Sequence, residues 1–130
     1  MSATVTWTSG VAVAGGAALG ALGRWAAGIW LNARWPGFPL GTLFVNLSGG
    51  LLIGALLVWL DQRHYDEWRL FLLTGVLGGY TTFSAFSAES LTLLQRGQWS
   101  LALGHSLAHV LGALVCAALG MALARSVAGS

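Results

Sequence analysis

The chain reads as an all-α integral membrane protein of four transmembrane helices, the third of them broken mid-membrane. Three observations predict this: four long apolar stretches, very little charge, and tryptophan at the ends of the stretches. Of 130 residues, 56% are hydrophobic and 8% charged, with a mean hydropathy of +0.74. A soluble domain carries about 25% charged residues, and a soluble chain this apolar would leave large greasy patches in water. A bilayer solvates apolar side chains and requires only that backbone polar groups be satisfied internally.

The first stretch, residues 11–30, contains one charge, Arg24, and the second, 40–60, contains none. The third, 70–94, contains only Glu89, and the fourth, 101–124, only His105 and His109 as ionisable groups. A span needs roughly 20 mainly apolar residues, so residues 1–130 form a single transmembrane domain with no room for a soluble one. Six of the seven tryptophans (Trp7, Trp30, Trp35, Trp59, Trp68 and Trp99) fall near a stretch end, where indole rings favour the headgroup level. Only Trp25 falls inside. The N-terminal residues lack the basic n-region of a cleavable signal peptide, so the first stretch is expected to remain as a helix. The linking segments are short and carry Pro36 and Pro39 as helix stops, which predicts consecutive helices as antiparallel neighbours.

Glycine is abundant, 19 residues, and Gly16/Gly20 and Gly50/Gly54 repeat at four-residue spacing. Small residues so spaced let membrane helices approach closely. They predict tight packing rather than any function.

Orientation is balanced. With four spans, Arg63, Arg69 and Arg125 share one side and Arg34 and Arg96 the other, a weak bias under the positive-inside rule. Such a chain inserts both ways up, and an antiparallel dimer of identical chains would supply the inverted symmetry that larger transporters obtain from repeats.

The third stretch is the most informative. Gly78 and Gly79 beside Thr81 and Thr82 make poor helix in mid-membrane. A break there would free carbonyls, the usual ligands of a small cation such as Na⁺; an ordinary glycine-rich packing patch is the other reading. Phe83 and Phe86 share a face, and Ser84 and Ser87 a neighbouring one. The positive edges of two Phe rings can favour a small anion without a fixed charge to trap it, although lipid-facing or core Phe is the commoner case. Asn46, midway along the second stretch, is either interhelical glue or a donor to a passing anion. Arg24 and Glu89 are intramembrane charges, hence functional candidates or end caps. An arginine rather than a carboxylate in the first helix favours an anion over a cation. His105 and His109 are one turn apart, a spacing that permits a metal pair, with no Cys or further His to complete it. The six arginines are scattered, which argues against a nucleic-acid surface, and the single Cys116 excludes an intramolecular disulfide. No catalytic triad, phosphate loop or paired carboxylate is present, so no enzyme is expected.

Taken together these segments resemble the Fluc (CrcB) family of fluoride channels over nearly the whole chain. The matching pieces are Gly15-Gly16, Gly20-Ala21 and Arg24; Pro39-Leu-Gly-Thr-Leu43 with Asn46; and Leu94-Gln-Arg-Gly97. The most specific is Gly78-Gly-Tyr-Thr-Thr-Phe-Ser-Ala-Phe-Ser-Ala-Glu89. The resemblance implies a dual-topology antiparallel homodimer in the bacterial inner membrane, with two pores passing fluoride out of the cell and so limiting its toxicity. It also implies a structural Na⁺ at the dimer centre, bound by the backbone carbonyls of Gly78 and Thr81 from both chains. Phe83 and Phe86 match the family's pore phenylalanines and Asn46 its pore asparagine; Arg24 falls on an arginine near the pore entrance, and Ser84 lies beside the Phe pair. The fourth span departs: His105, His109 and Ala113 stand where relatives tend to carry Tyr, Asn or Ser. Two rivals remain, a small four-helix proton-coupled multidrug exporter and a non-conducting accessory subunit. The first is disfavoured by the missing carboxylate in span one, the second by the pore-like motif.

Overall fold

In the computed structural model, which describes residues 5–63 and 66–129, every regular element is helical. Helix α1, Trp7–Leu31, begins at Thr6, whose hydroxyl accepts the Ser9 amide at 3.2 Å. A short 3₁₀ turn, Asn32–Arg34, leads through Gly37 to α2, Leu40–Asp61, preceded by Pro39. Then α3, Asp66–Arg69, widens into a π-helix over Leu70–Leu77 and ends in a single turn, α4, Gly78–Tyr80. Two extended residues, Thr81 and Thr82, separate that turn from α5, Phe83–Gln95. The last helix, α6, is Trp99–Ala128.

Three of these helical runs are long and apolar enough to cross a membrane: Leu40–Asp61 and Trp99–Ala128, both with mean hydropathy 2.1, and Asp66–Gln95 at 1.3. At 25 residues α1 has the length to span, but its glycines and Arg24 lower its hydropathy. Buried side chains such as Val45, Leu60 and Leu93 are flanked by outward-facing Leu103, Leu107, Leu111 and Leu114. That is the inverse of a water-soluble bundle and the arrangement lipid requires.

Consecutive helices are neighbours as expected, α1 with α2 and α5 with α6, but they are not the main partners. The most extensive contacts join α2 to α6, and α1 to the segment running from Leu70 to Tyr80. The reason is glycine. A Cβ at Gly16 would strike the backbone of Phe71, Gly75 and Val76, and one at Gly20 that of Val76 and Tyr80. Gly50 and Gly54 lie against Ala113 and Ala117 in the same way, and Gly120 returns the contact onto Leu51. In both pairs the contacts advance in step along the two chains, so each pair is parallel. Helix–helix contact without side chains between relies on small residues in register, which both of these pairs have over several turns; α1 and α2 approach as closely at Gly28 and Gly41.

Local bonds also fix how consecutive helices join. Asn32 Oδ1 accepts the Gly41 amide at 2.7 Å, satisfying one of the free donors of α2. Gly97, at φ +72, closes α5: its amide donates to Leu94 and that of Gln98 to Leu93, the paired bonds of a Schellman motif. This tight turn folds α6 back along α5 and aligns Glu89 and Ser90 with His105.

Candidate functional site

The site grows from the interruption after Tyr80. Thr81 and Thr82 are extended (ψ 155 and 114), so the chain cannot close the next helical bonds. The Thr82 amide, which would have bonded the Gly78 carbonyl, donates to Asn46 Oδ1 at 2.8 Å. The Ala85 amide, which would have bonded Thr81, donates to Thr82 Oγ1 at 3.1 Å, making Thr82 the N-cap of α5. The carbonyls of Gly78 and Thr81 are thereby released from the helix. Asn46 also donates through Nδ2 to the Thr82 carbonyl at 3.0 Å. One α2 amide therefore satisfies both backbone groups of Thr82. On the other side, Arg24 Nε donates to the Gly79 carbonyl at 3.0 Å.

Beyond the break, α5 and α6 bring a ring cluster together. Phe83 and Phe86 lie 5.3 Å apart, tilted by 59°. Phe86 stacks on His105 at 5.4 Å and lies 4.6 Å from His109, and the two imidazoles are 4.5 Å apart. Phe38 meets His105 edge-on at 5.5 Å. His105 is fully buried. Its Nε2 pairs with Glu89 Oε2 at 3.2 Å and its Nδ1 with Ser90 Oγ at 2.9 Å. Glu89 in turn accepts the Thr42 hydroxyl through Oε1. His109 Nδ1 lies 3.0 Å from Asn46 Nδ2.

Two grooves flank this cluster. One, of about 490 Å³, is lined by Asn46, Gly78, Thr81, Phe83, Phe86 and His109. The other, of about 350 Å³, is lined by Trp35, Phe38, Glu89 and Arg96. A row of polar groups (Thr82, Asn46, His109, His105, Glu89 and Thr42) runs from the first groove, which Phe83 and Phe86 also line, toward the second, which Glu89 lines.

The model of the family described as CrcB-like protein, Camphor Resistance (CrcB), matches residues 11–121. The chain belongs to the CrcB family. Its curated relatives include a protein of Marinobacter nauticus, 50% identical over 116 residues (88% of this chain, 92% of the relative). Another, from Bordetella petrii, is 49% identical over 129 residues (98% and 99%), and one from Pseudomonas paraeruginosa 50% over 117 residues (88% and 92%). All three are named fluoride-specific ion channel FluC. With its apolar helices, this CrcB-family chain is a multi-pass membrane protein.

Of the residues singled out from the sequence, Asn46, Gly78, Thr81, Phe83, Phe86 and His109 share one groove of this family member. His105 lies behind Phe86, against Glu89. Ser84 stays at the edge, its hydroxyl 3.2 Å from that of Thr82. Arg24 lines a separate groove of about 400 Å³ with Asn32, Thr42 and Thr82. Sequence reasoning gave the side chains of Thr42, Thr82 and Ser90 no site role. A signal existed for placing Glu89 and Ser90 against His105: with a turn at Gly97, residues 89 and 105 stand eight positions either side of it.

Proposed function

We propose that this chain is a fluoride-selective channel that lets the ion leave the cell passively and so limits its toxicity. The observation that carries this reading is the row of neutral donors beside the Phe83/Phe86 pair, in a chain whose family relatives bear the fluoride-channel name. Fluoride is small and strongly hydrated, so it crosses only where several donors replace its water at once. Amide, imidazole and hydroxyl groups supply them along the groove, and Phe edges add positive potential without a trapping charge. Chloride, being larger and more weakly hydrated, gains less from the same closely spaced donors.

The working unit is an antiparallel dual-topology homodimer in the bacterial inner membrane, with four spans per chain including α1. Phe83 is 77% exposed on a single chain, and Gly78 is exposed beside it. An aromatic pore residue on an open face is consistent with a second chain closing over it. A structural Na⁺ fits the released Gly78 and Thr81 carbonyls, two from each chain, and would hold four carbonyl dipoles together at the dimer centre. Arg24 occupies the intervening Gly79 carbonyl and keeps it out of that set.

The test is efflux from proteoliposomes of purified protein. Fluoride-loaded vesicles are expected to empty rapidly while chloride-loaded ones hold. Equal rates for the two ions, or no fluoride efflux above protein-free vesicles, would refute the reading.

A further inference from the structure

The buried polar atom left without a partner among the described residues is His109 Nε2, on a residue 4% exposed. Whether it is a donor or an acceptor depends on the other ring nitrogen. The Asn46 amide has no freedom of orientation, because Oδ1 faces the Thr82 N–H and Nδ2 faces the Thr82 carbonyl. The group it turns to His109 Nδ1, at 3.0 Å, is therefore its second N–H. A ring nitrogen that accepts leaves the proton of neutral imidazole on the other one. His109 thus carries its proton on Nε2, and that N–H is the one without a partner.

Resting on the fluoride reading above, we infer that Asn46 is a positioning residue: it fixes His109 as the Nε2–H tautomer, and this buried N–H donates to the ion passing Phe86. The surroundings suit that role. Phe86 lies 4.6 Å from the imidazole, and a ring nitrogen of His109 falls within 4.8 Å of ligand atoms of Glu89 and His105. These three residues could otherwise be taken for a metal centre. A metal needs the Nε2 lone pair, however, and the Asn46 bond puts a proton there instead. A buried donor with no partner is costly to leave unmet, and a small anion relieves it. Being neutral, the ring binds without holding the ion. Asn46→Asp inverts the arrangement: a carboxylate only accepts, so it draws the proton to Nδ1 and turns the Nε2 lone pair toward the path.

The experiment uses full-length protein with ¹⁵N-labelled histidine in lipid bilayers, the His109 signals being identified by their loss in His109→Gln. Nitrogen spectra distinguish a protonated ring nitrogen from one with a lone pair. The wild type is expected to show Nε2–H and an accepting Nδ1, and NaF is expected to shift the Nε2 resonance. Asn46→Asp is expected to show the reverse tautomer, no response to NaF, and at least about tenfold slower fluoride efflux, the loss of one hydrogen bond to an ion. Asn46→Asp also disturbs the clamp on Thr82, so the deciding variant is Asn46→Asp with His109→Gln. Glutamine presents an N–H near the Nε2 position whatever stands at 46, so this double variant is expected to recover part of the efflux. A wild-type His109 protonated on Nδ1, or a double variant no faster than Asn46→Asp alone, would overturn the inference. The tautomer is read without transport: absent efflux in the wild type would remove the fluoride half, while the spectrum alone decides the role of Asn46.

Discussion

Arg24 and Gly79 are joined across 55 residues of sequence: the guanidinium Nε donates to the Gly79 carbonyl at 3.0 Å, tying α1 to the turn just before the break. The bond uses a backbone acceptor where a freed carbonyl would otherwise face hydrocarbon. It also places the one charge of α1 in a groove beside Thr82, apart from the groove that the Phe pair lines. Arg24→Ala is expected to lower stability by about 1–3 kcal/mol, the cost of stranding such an acceptor, and to slow fluoride efflux. Arg24→Lys should recover part of both. The checks are thermal unfolding in detergent, followed by size-exclusion chromatography, and vesicle efflux. Unchanged melting in Arg24→Ala would show that the bond contributes nothing.

The glycines fall into two classes that mutation should separate. At Gly20, Gly54 and Gly120 an added Cβ would meet the backbone of the facing helix, whereas at Gly10 and Gly104 nothing lies within 4 Å. Backbone cannot give way as the end of a side chain can. Gly54→Ala is expected to cost about 1–3 kcal/mol by overpacking. Gly104→Ala is expected to be neutral or to gain about 0.5–1 kcal/mol from helix propensity. Melting temperatures of the two variants that do not differ would argue against the α2–α6 contact as described.

How much of this could be read from the chain follows from which signals are local. Twenty apolar residues in a row are a local signal, and so are Gly78 and Gly79 beside two threonines. Both point to the helical runs and to the interruption near Thr81. Pairing is not local. Gly16 and Gly20 could have packed on any small-residue stripe, and nothing in their own sequence selects the backbone of Gly75, Val76 and Tyr80. The π-helix over Leu70–Leu77 has no residue signature that distinguishes it from an α-helix. The site divides in the same way. Asn46 stands out as a lone amide in an apolar run, but its double bond to Thr82 depends on α2 lying beside the break. Thr42, which bonds Glu89, reads in the sequence as an ordinary helix start.

Gly78 makes a sharper test of the proposed Na⁺ site than its neighbour. Within one chain, a Cβ there would meet nothing nearer than the Leu73 carbonyl at 3.7 Å, while one at Gly79 would strike Ala17. Gly78→Leu should therefore leave the single chain folded but weaken dimerisation, Na⁺ dependence and efflux. Thr81→Ser should be mild, because the proposed ligand is its backbone oxygen. Dimer mass in detergent, with and without Na⁺, checks this. A Gly78→Leu protein that stays dimeric, and a wild type indifferent to full replacement of Na⁺, would remove the site.

Dual topology rests on the near balance of arginines: Arg63, Arg69 and Arg125 on one side, Arg34 and Arg96 on the other. After Cys116→Ser, a single cysteine placed at a terminus is expected to be labelled from both faces of the membrane in one preparation. Several lysines added at one end should bias insertion under the positive-inside rule and lower efflux, which the oppositely biased chain then restores. Labelling from one face alone would make the antiparallel dimer untenable.

The Glu89–His105 pair asks whether the inner end of the polar row serves structure, transport or both. His105 is fully buried, and its Nε2 has Glu89 as its acceptor at 3.2 Å, while the Glu89 side chain is still 22% exposed toward the second groove. Removing the acceptor alone strands an N–H in the interior; removing both partners does not. Glu89→Ala is thus expected to cost about 1–3 kcal/mol, and adding His105→Leu should recover part of it, giving a coupling of about 1 kcal/mol in a double-mutant cycle. Efflux should behave differently. If Glu89 only supported His105, the double variant would conduct better than Glu89→Ala. If the pair lies on the ion path, the double variant regains stability yet conducts no faster, because a leucine offers no donor. Melting and efflux measured on the same four proteins separate the two cases, and rescue of efflux in step with stability would take Glu89 and His105 off the path.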